Sequence, residues 1–449
     1  MSTLSGYPAY HPEMASSHEM PHGIMQAGFD RAFTKRLFWT AFLLHVVTVL
    51  LLMALGNGSI YEMSRDSYDY HVKSQVIAEG FLAGEINWGL WVDEGWFQFI
   101  GLVYMLFGAQ MVLVLLINTI LASCAAVLCY KIAGMAFDDE SVARLSGLTL
   151  AWFPSAIYYT SLPLKEAPAL FGALSVLYGI MIFRVGNKKG WWIWILCGLA
   201  IVASLRLYLC YVYSACTLFC LFPMRLTSGF SGLVRFGIVG AILAGGGLFL
   251  ANAMGVDLSQ YEAMRYFDID YINKVRMGMN EGKTQLFKNR TDSQYSDNML
   301  MNAYNLGMGF FYFFFSIDVT HVTRDRQLMA LPEVFFFLYC FIYLIHGFWS
   351  GWKTRFHKVL PVFLFGTMIV LVYSSATTNK GTMYRWRVQA LPFLIMVIVY
   401  GASVRQKGIL YSLLQKFKCQ LTPPLPFWNR PPVPVVTPYD EPQKRGDQS

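Results

Sequence analysis

The feature that most constrains this chain is a recurrence of apolar runs with at most one charged residue each, the first at residues 37–55, each near the length needed to cross a bilayer. A helix needs about 20 apolar residues to span a hydrocarbon layer of roughly 30 Å, because each residue adds about 1.5 Å. Further runs stand at 109–133, 142–159, 167–183, 191–205, 207–222, 233–253, 332–349, 359–373 and 388–404. In hydrocarbon every backbone N–H and C=O must be satisfied within the chain, so runs of this kind predict helices. Hydrophobic residues make up 55% of the 449 and charged residues only 14%, too few to coat a soluble globule. The expected fold class is therefore all-α, a polytopic membrane protein of roughly ten transmembrane helices with juxtamembrane helices on its outer face. Residues 100–107 predict one of those, dipping into the outer surface.

Orientation follows from the short connections. Arg31, Lys35 and Arg36 precede the first run, and Arg184, Lys188 and Lys189 follow the fourth. Lys353, Arg355 and Lys358 follow the eighth span in this scheme, and Arg405, Lys407, Lys416 and Lys418 follow the last. All fall on one side, which the excess of lysine and arginine assigns to the cytoplasm, with both tails. That scheme requires 191–222 to turn back on itself as a hairpin with Arg206 at its outer turn; a single crossing would break the charge pattern. The expected organisation is a cytoplasmic N-terminal tail over 1–36, a transmembrane domain over 37–404 and a cytoplasmic Pro-rich tail over 405–449. The polar opening predicts no cleavable signal peptide. Two outer loops remain, 56–99 and 254–331.

The eight cysteines carry no chemistry in this reading: seven lie in apolar runs and Cys419 lies in the tail. The net charge of +8 is mostly cytoplasmic loop and tail, an insertion signal rather than a nucleic-acid footprint.

Charges remain that topology leaves unexplained. The stretch RDSYDYH, Arg65 to His71, places Asp66 and Asp69 just beyond the first span. Every short outer connection also carries cations: Lys165, Arg206, and Lys380, Arg385 and Arg387 within TTNKGTMYRWR. Taken singly, each cation snorkels to a headgroup or pairs with an outer acid. Taken together they suit an anion carried on a lipid, most simply a phosphate, since arginine binds phosphate oxygens with a planar fork and lysine with a point charge. Asp66 and Asp69, three apart on a helix, share a face and can act as a general base, chelate a divalent cation such as Mg²⁺ or Mn²⁺, or simply start a helix. Glu166 is either such a helix-start carboxylate or an accessory site residue. Tyr208, His71 and His321 complete the accessory set; a lone interfacial histidine is more often a hydrogen-bonded structural residue.

At these residues the chain resembles the membrane-embedded glycosyltransferases of the GT-C superfamily, family 39 type, which includes protein O-mannosyltransferases and the aminoarabinose transferases of lipid A. The resemblance rests on a first span followed by RDSYDYH, on GLVYMLFG, on AWFPSAIYYTSLPLKE, and on LPEVFFFLYCFIYLIHG followed by NKGTMYRWRVQALPFLIMVIVYG. It covers residues 37–404. It implies that Asp66 is the catalytic base, with Asp69 as alternative, and that Lys165, Arg206 and Arg385 hold the donor phosphate. The large outer C-terminal domain of some relatives has no counterpart, so acceptor recognition would fall to the two outer loops. The implied activity is transfer of a sugar from a polyprenyl-phosphate donor to a glycan, lipid or protein acceptor at the outer face of a bacterial inner membrane. Two rivals stand beside it. A polymerase or ligase using undecaprenyl-diphosphate-linked glycans would lean on a histidine base, and a lipid or polysaccharide transporter would show paired broken helices in related halves, an internal symmetry not evident in this sequence.

Overall fold

A computed structural model of the chain describes residues 29–55, 65–85, 91–92, 94–186, 189–221, 299–315, 331–376 and 380–421. The described residues form helices only: α1 (Arg31–Leu55), α2 (Arg65–Leu82), α3 (Gly95–Phe107), α4 (Met111–Phe137), α5 (Glu140–Trp152), α6 (Pro154–Thr160) and α7 (Glu166–Gly186). They continue with α8 (Trp191–Leu205), α9 (Leu207–Leu221), α10 (Met299–Phe315), α11 (Leu331–Thr354), α12 (Phe356–Ala376), α13 (Lys380–Arg405) and α14 (Ile409–Leu421). Among them six, namely α1, α4, α7, α11, α12 and α13, are long and apolar enough to cross a membrane, and the chain is a multi-pass membrane protein. The run expected at 233–253 lies outside the described residues.

The run at 142–159 is not one rod. Pro154 excludes a helical conformation for the residue before it, and Phe153 is extended there (φ −72°, ψ 120°), ending α5 and starting α6. The run at 191–222 is broken at Arg206, whose φ of −156° and ψ of 87° leave the helical region between α8 and α9. α8 runs antiparallel to α7, with Gly179 against Ile195 and Gly172 against Gly198. α9 then returns alongside α7, because Arg206 bonds Glu166 at one end of α7 while Arg184 Nη1 donates to the Cys220 carbonyl, 3.2 Å away, at the other. A 15-residue helix rises about 22 Å, short of the hydrocarbon thickness, and Arg206 at this turn is buried.

Glycines set the closest helix pairs. A Cβ on Gly198 would meet the Gly172 carbonyl, and a Cβ on Gly347 or Gly401 would run into the Val397 or Tyr343 carbonyl of the opposing helix, α13 or α11. Small residues at such crossings let backbones approach where lipid supplies no hydrophobic drive. α13 is the axis of the bundle: 89% of its most apolar stretch is buried, against 22% for α1, which packs at the edge.

The two ends of the bundle differ. One is a basic end, where Arg355 Nη1 bonds Asp138 (3.1 Å) and the Phe137 carbonyl (2.6 Å), Lys358 bonds Asp138, and Arg144 bridges Asp30 (2.8 Å) and Glu140 (2.7 Å). Asp138 takes the left-handed conformation that ends α4, and Asp139 caps α5 by accepting from the Ser141 and Val142 N–H groups. The other is a capped end, closed over by α2 and α3. This pair is joined by Ser74 Oγ donating to the Phe97 carbonyl (3.0 Å), by Tyr70 against Phe97, and by Ile77 filling the space beside Gly101.

Candidate functional site

The capped end is built on the turn between α6 and α7. Its irregular backbone is deep in the protein, where open carbonyls are costly, and the sequence provides partners for them. Asn118 of α4 donates through Nδ2 to the carbonyls of Leu162 (2.8 Å) and Leu164 (3.0 Å), and Trp96 of α3 donates to that of Pro163 (3.3 Å). Lys165, the last residue of the turn, donates through Nζ to the Leu205 carbonyl at the end of α8 (3.0 Å). The turn thus holds Glu166 at the first position of α7, where the helix dipole favours a carboxylate.

Glu166 is the hub. It is fully buried, and its Oε1 accepts from Arg206 Nη2 (2.8 Å) and from Arg385 Nε (2.5 Å). Arg385 reaches on through Nη1 to Asp66 Oδ2 in the first turn of α2. Arg206 reaches the other way, through Nη1 to the Tyr373 hydroxyl (2.8 Å), which donates to Gln389 Oε1 (2.6 Å), with the Trp386 ring 5.3 Å from its guanidinium. Two arginines and two carboxylates make this network neutral if all are charged. Exposure rises along it, from 0% for the Glu166 side chain through 3% for Arg206 and 15% for Arg385 to 47% for Asp66. The network therefore leads from a sealed interior to solvent.

A second pair lies beside it. Arg387 Nη2 bonds Glu333 Oε2 (2.7 Å) with both side chains buried, and Glu333 Oε1 accepts from the Ser155 N–H (2.5 Å) at the start of α6. Tyr384 donates to Glu333 (3.2 Å), and its ring lies 4.0 Å from the Arg387 guanidinium. Arg385 and Arg387 are two apart on one helix, so they point to opposite sides and serve different acids.

The structure thus unites Asp66, Lys165, Glu166, Arg206 and Arg385 around one turn and places Arg387 in an adjoining pair. Tyr208 sits within electrostatic reach of Arg206 and Tyr373. Asp69, one turn beyond Asp66, has no ion-pair partner among the described residues. His71 stands apart from the network: Nδ1 bonds the Tyr104 hydroxyl (2.8 Å) and Nε2 meets Gln75 (3.3 Å), a tie between α2 and α3. Burial holds its imidazole below the usual histidine range. His321 and the Lys380 side chain lie outside the described residues. Of the two carboxylates expected to chelate a divalent cation, Asp66 is bonded to Arg385 in this structure. Among the described residues no group of three His, Cys, Asp or Glu side chains is placed to hold a metal.

Glu333, Tyr373, Gln389, Trp386 and Tyr70 join the site without having been expected there from the sequence. Tyr70 shares a face with Asp66, one turn on, and is buried within electrostatic reach of Arg385, Glu166, Asp66 and Arg206; burial raises its phenol, which stays protonated. Its signal was the i, i+4 spacing within RDSYDYH. Gln389 stands in the same relation to Arg385. Glu333, an acid opening an apolar run, carried the same signal as Glu166.

No protein-family model, no curated protein and no solved structure matches this chain.

Proposed function

We propose that this protein is a membrane glycosyltransferase that moves a sugar from a polyprenyl-phosphate donor to a glycan, lipid or protein acceptor, with its site at the capped end facing the outer side of the membrane. The single observation that supports it is the linked set Asp66–Arg385–Glu166–Arg206, an acid open to solvent tied through an arginine to a buried anchor. In this reading Asp66 takes the proton from the acceptor nucleophile, which attacks the anomeric carbon from the face opposite the phosphate. The C–O bond to the phosphate breaks with inversion, and the lipid phosphate leaves with its charge stabilised by a fixed cation.

Arg385 is the cation best placed for that role. Arg206 and Arg387 are sealed by protein, so their part is to hold Glu166 and Glu333 in place. Lys165 adds positive charge beside the turn. No step needs a metal ion in this scheme, and Asp69 is the replacement base if Asp66 only binds Arg385.

The test is to supply purified protein in lipid with a panel of polyprenyl-phosphate sugars and to measure release of the lipid phosphate. Consumption of one donor, lost in Asp66→Asn, is the expected result. Consumption of none, by wild-type protein, refutes the reading.

A further inference from the structure

In this structure the open carboxylate, Asp66, and the one partly accessible arginine of the network, Arg385, are bonded to each other. A base held by a guanidinium is a poor proton acceptor, and an arginine held by a carboxylate is a poor phosphate site. The two halves of the site thus block one another.

The network also dictates which contact yields. Separating Arg385 from Glu166 would strip a partner from a carboxylate with no access to water, whose Oε2 already has no hydrogen bond. Separating Arg385 from Asp66 releases a half-exposed side chain that water can solvate at once. Arg385 holds Glu166 through Nε and Asp66 through Nη1, so the outer edge of its fork can change partner while the inner edge stays anchored. A phosphodiester, or the monoanion of a phosphomonoester or of inorganic phosphate, carries one negative charge, as the Asp66 carboxylate does, so exchange for that form keeps the network neutral.

We propose that Asp66 is the resting counter-ion of Arg385, that a phosphate oxyanion displaces it there, and that this displacement frees the Asp66 carboxylate to act as a base. The identity of the anion as a lipid headgroup rests on the transferase reading; the exchange itself does not. The device makes the base available only when the anion is in place.

Binding of decaprenyl phosphate, and separately of inorganic phosphate, is measured for full-length protein in neutral-lipid nanodiscs. Removing the competing charge with Asp66→Asn is expected to tighten binding about tenfold. Arg385→Gln should abolish binding, and the double variant should match Arg385→Gln. Arg385→Lys is the second variant: it keeps a charge beside Glu166 but cannot bridge two anions. It should bind more weakly than wild type and gain nothing from Asp66→Asn. A gain seen with decaprenyl phosphate alone identifies a lipid headgroup, and an equal gain with inorganic phosphate identifies a free anion. Unchanged or weaker binding by Asp66→Asn with both probes overturns the proposal. The two readings separate cleanly, since tighter binding without donor consumption leaves the exchange standing and removes the transferase, and donor consumption without tighter binding does the reverse.

Discussion

Replacing Glu166 with glutamine tests whether the capped end is organised around a buried charge. The side chain is fully buried, and one of its oxygens accepts from two guanidinium groups at 2.8 and 2.5 Å. At an effective dielectric of about 20, each such attraction is worth roughly 4 kcal/mol before desolvation is counted. Desolvation cancels much of that while the network is intact, but glutamine keeps the shape and removes the charge. Arg206 is then left with no anion, in a site with 3% exposure, and Arg385 with Asp66 alone. Breaking a buried pair in this way costs about 3–5 kcal/mol. Asp66→Asn, at a half-exposed position, should cost about 1 kcal/mol or less. The assay is reversible unfolding in mixed micelles of lipid and SDS, with both variants beside wild type. A wide gap between the two is expected, and partial recovery when Glu166→Gln is combined with Arg206→Met, because the stranded charge goes too. Equal destabilisation by the two single changes would refute it.

Other outcomes follow from the same geometry. Arg387→Met should cost about 3–5 kcal/mol by stranding Glu333, whereas adding Glu333→Met should recover part of that loss, the Ser155 N–H and Tyr384 hydroxyl still lacking their acceptor, which a double-mutant cycle on unfolding free energies reads directly. Gly401→Leu drives a side chain into the Tyr343 carbonyl across the α11–α13 crossing, and should cost upwards of about 1–3 kcal/mol in the same assay, with Gly84→Leu ruled out as a control by its positive φ and Gly307→Ala suitable because open space surrounds it. His71 is held below its usual range by burial, so the folded state binds fewer protons there than the unfolded one. Its contribution is therefore present above the unfolded value of about 6.5 and is lost as pH falls below it; unfolding at pH 7.5 and 5.5 should show a loss that His71→Gln reduces.

Helical class, membrane residence and the partition of basic residues were legible in the sequence because they depend on composition and short-range pattern. A long apolar run has one way to satisfy its backbone in lipid, and α1, α4, α7, α11, α12 and α13 follow from that alone. The reversal at Arg206 was legible too, since only a turn there kept the cations on one side. Its burial was not: whether a polar residue at a helix end meets water or a partner depends on segments far away in the chain, here Glu166, 40 residues earlier, and Tyr373, 167 residues later. The same holds for Asp66 and Arg385, joined across 319 residues. Arg385 and Arg387, expected on a short connection, stand inside α13 instead, and nothing local said which acid each would meet.

The sequence by itself determined that this chain must be a helical bundle in a membrane, with acids such as Asp66 and Glu166 at helix starts. Those are consequences of backbone hydrogen bonding and of the helix dipole, which act over a few residues. Only the tertiary structure decided that Glu166 and Glu333 are buried anchors, that Asp66 is the exposed member of its network, and that the acids and arginines neutralise one another. Charge pairing in a low-dielectric interior is set by distance in space, and the folded bundle alone brings those distant positions within bonding reach.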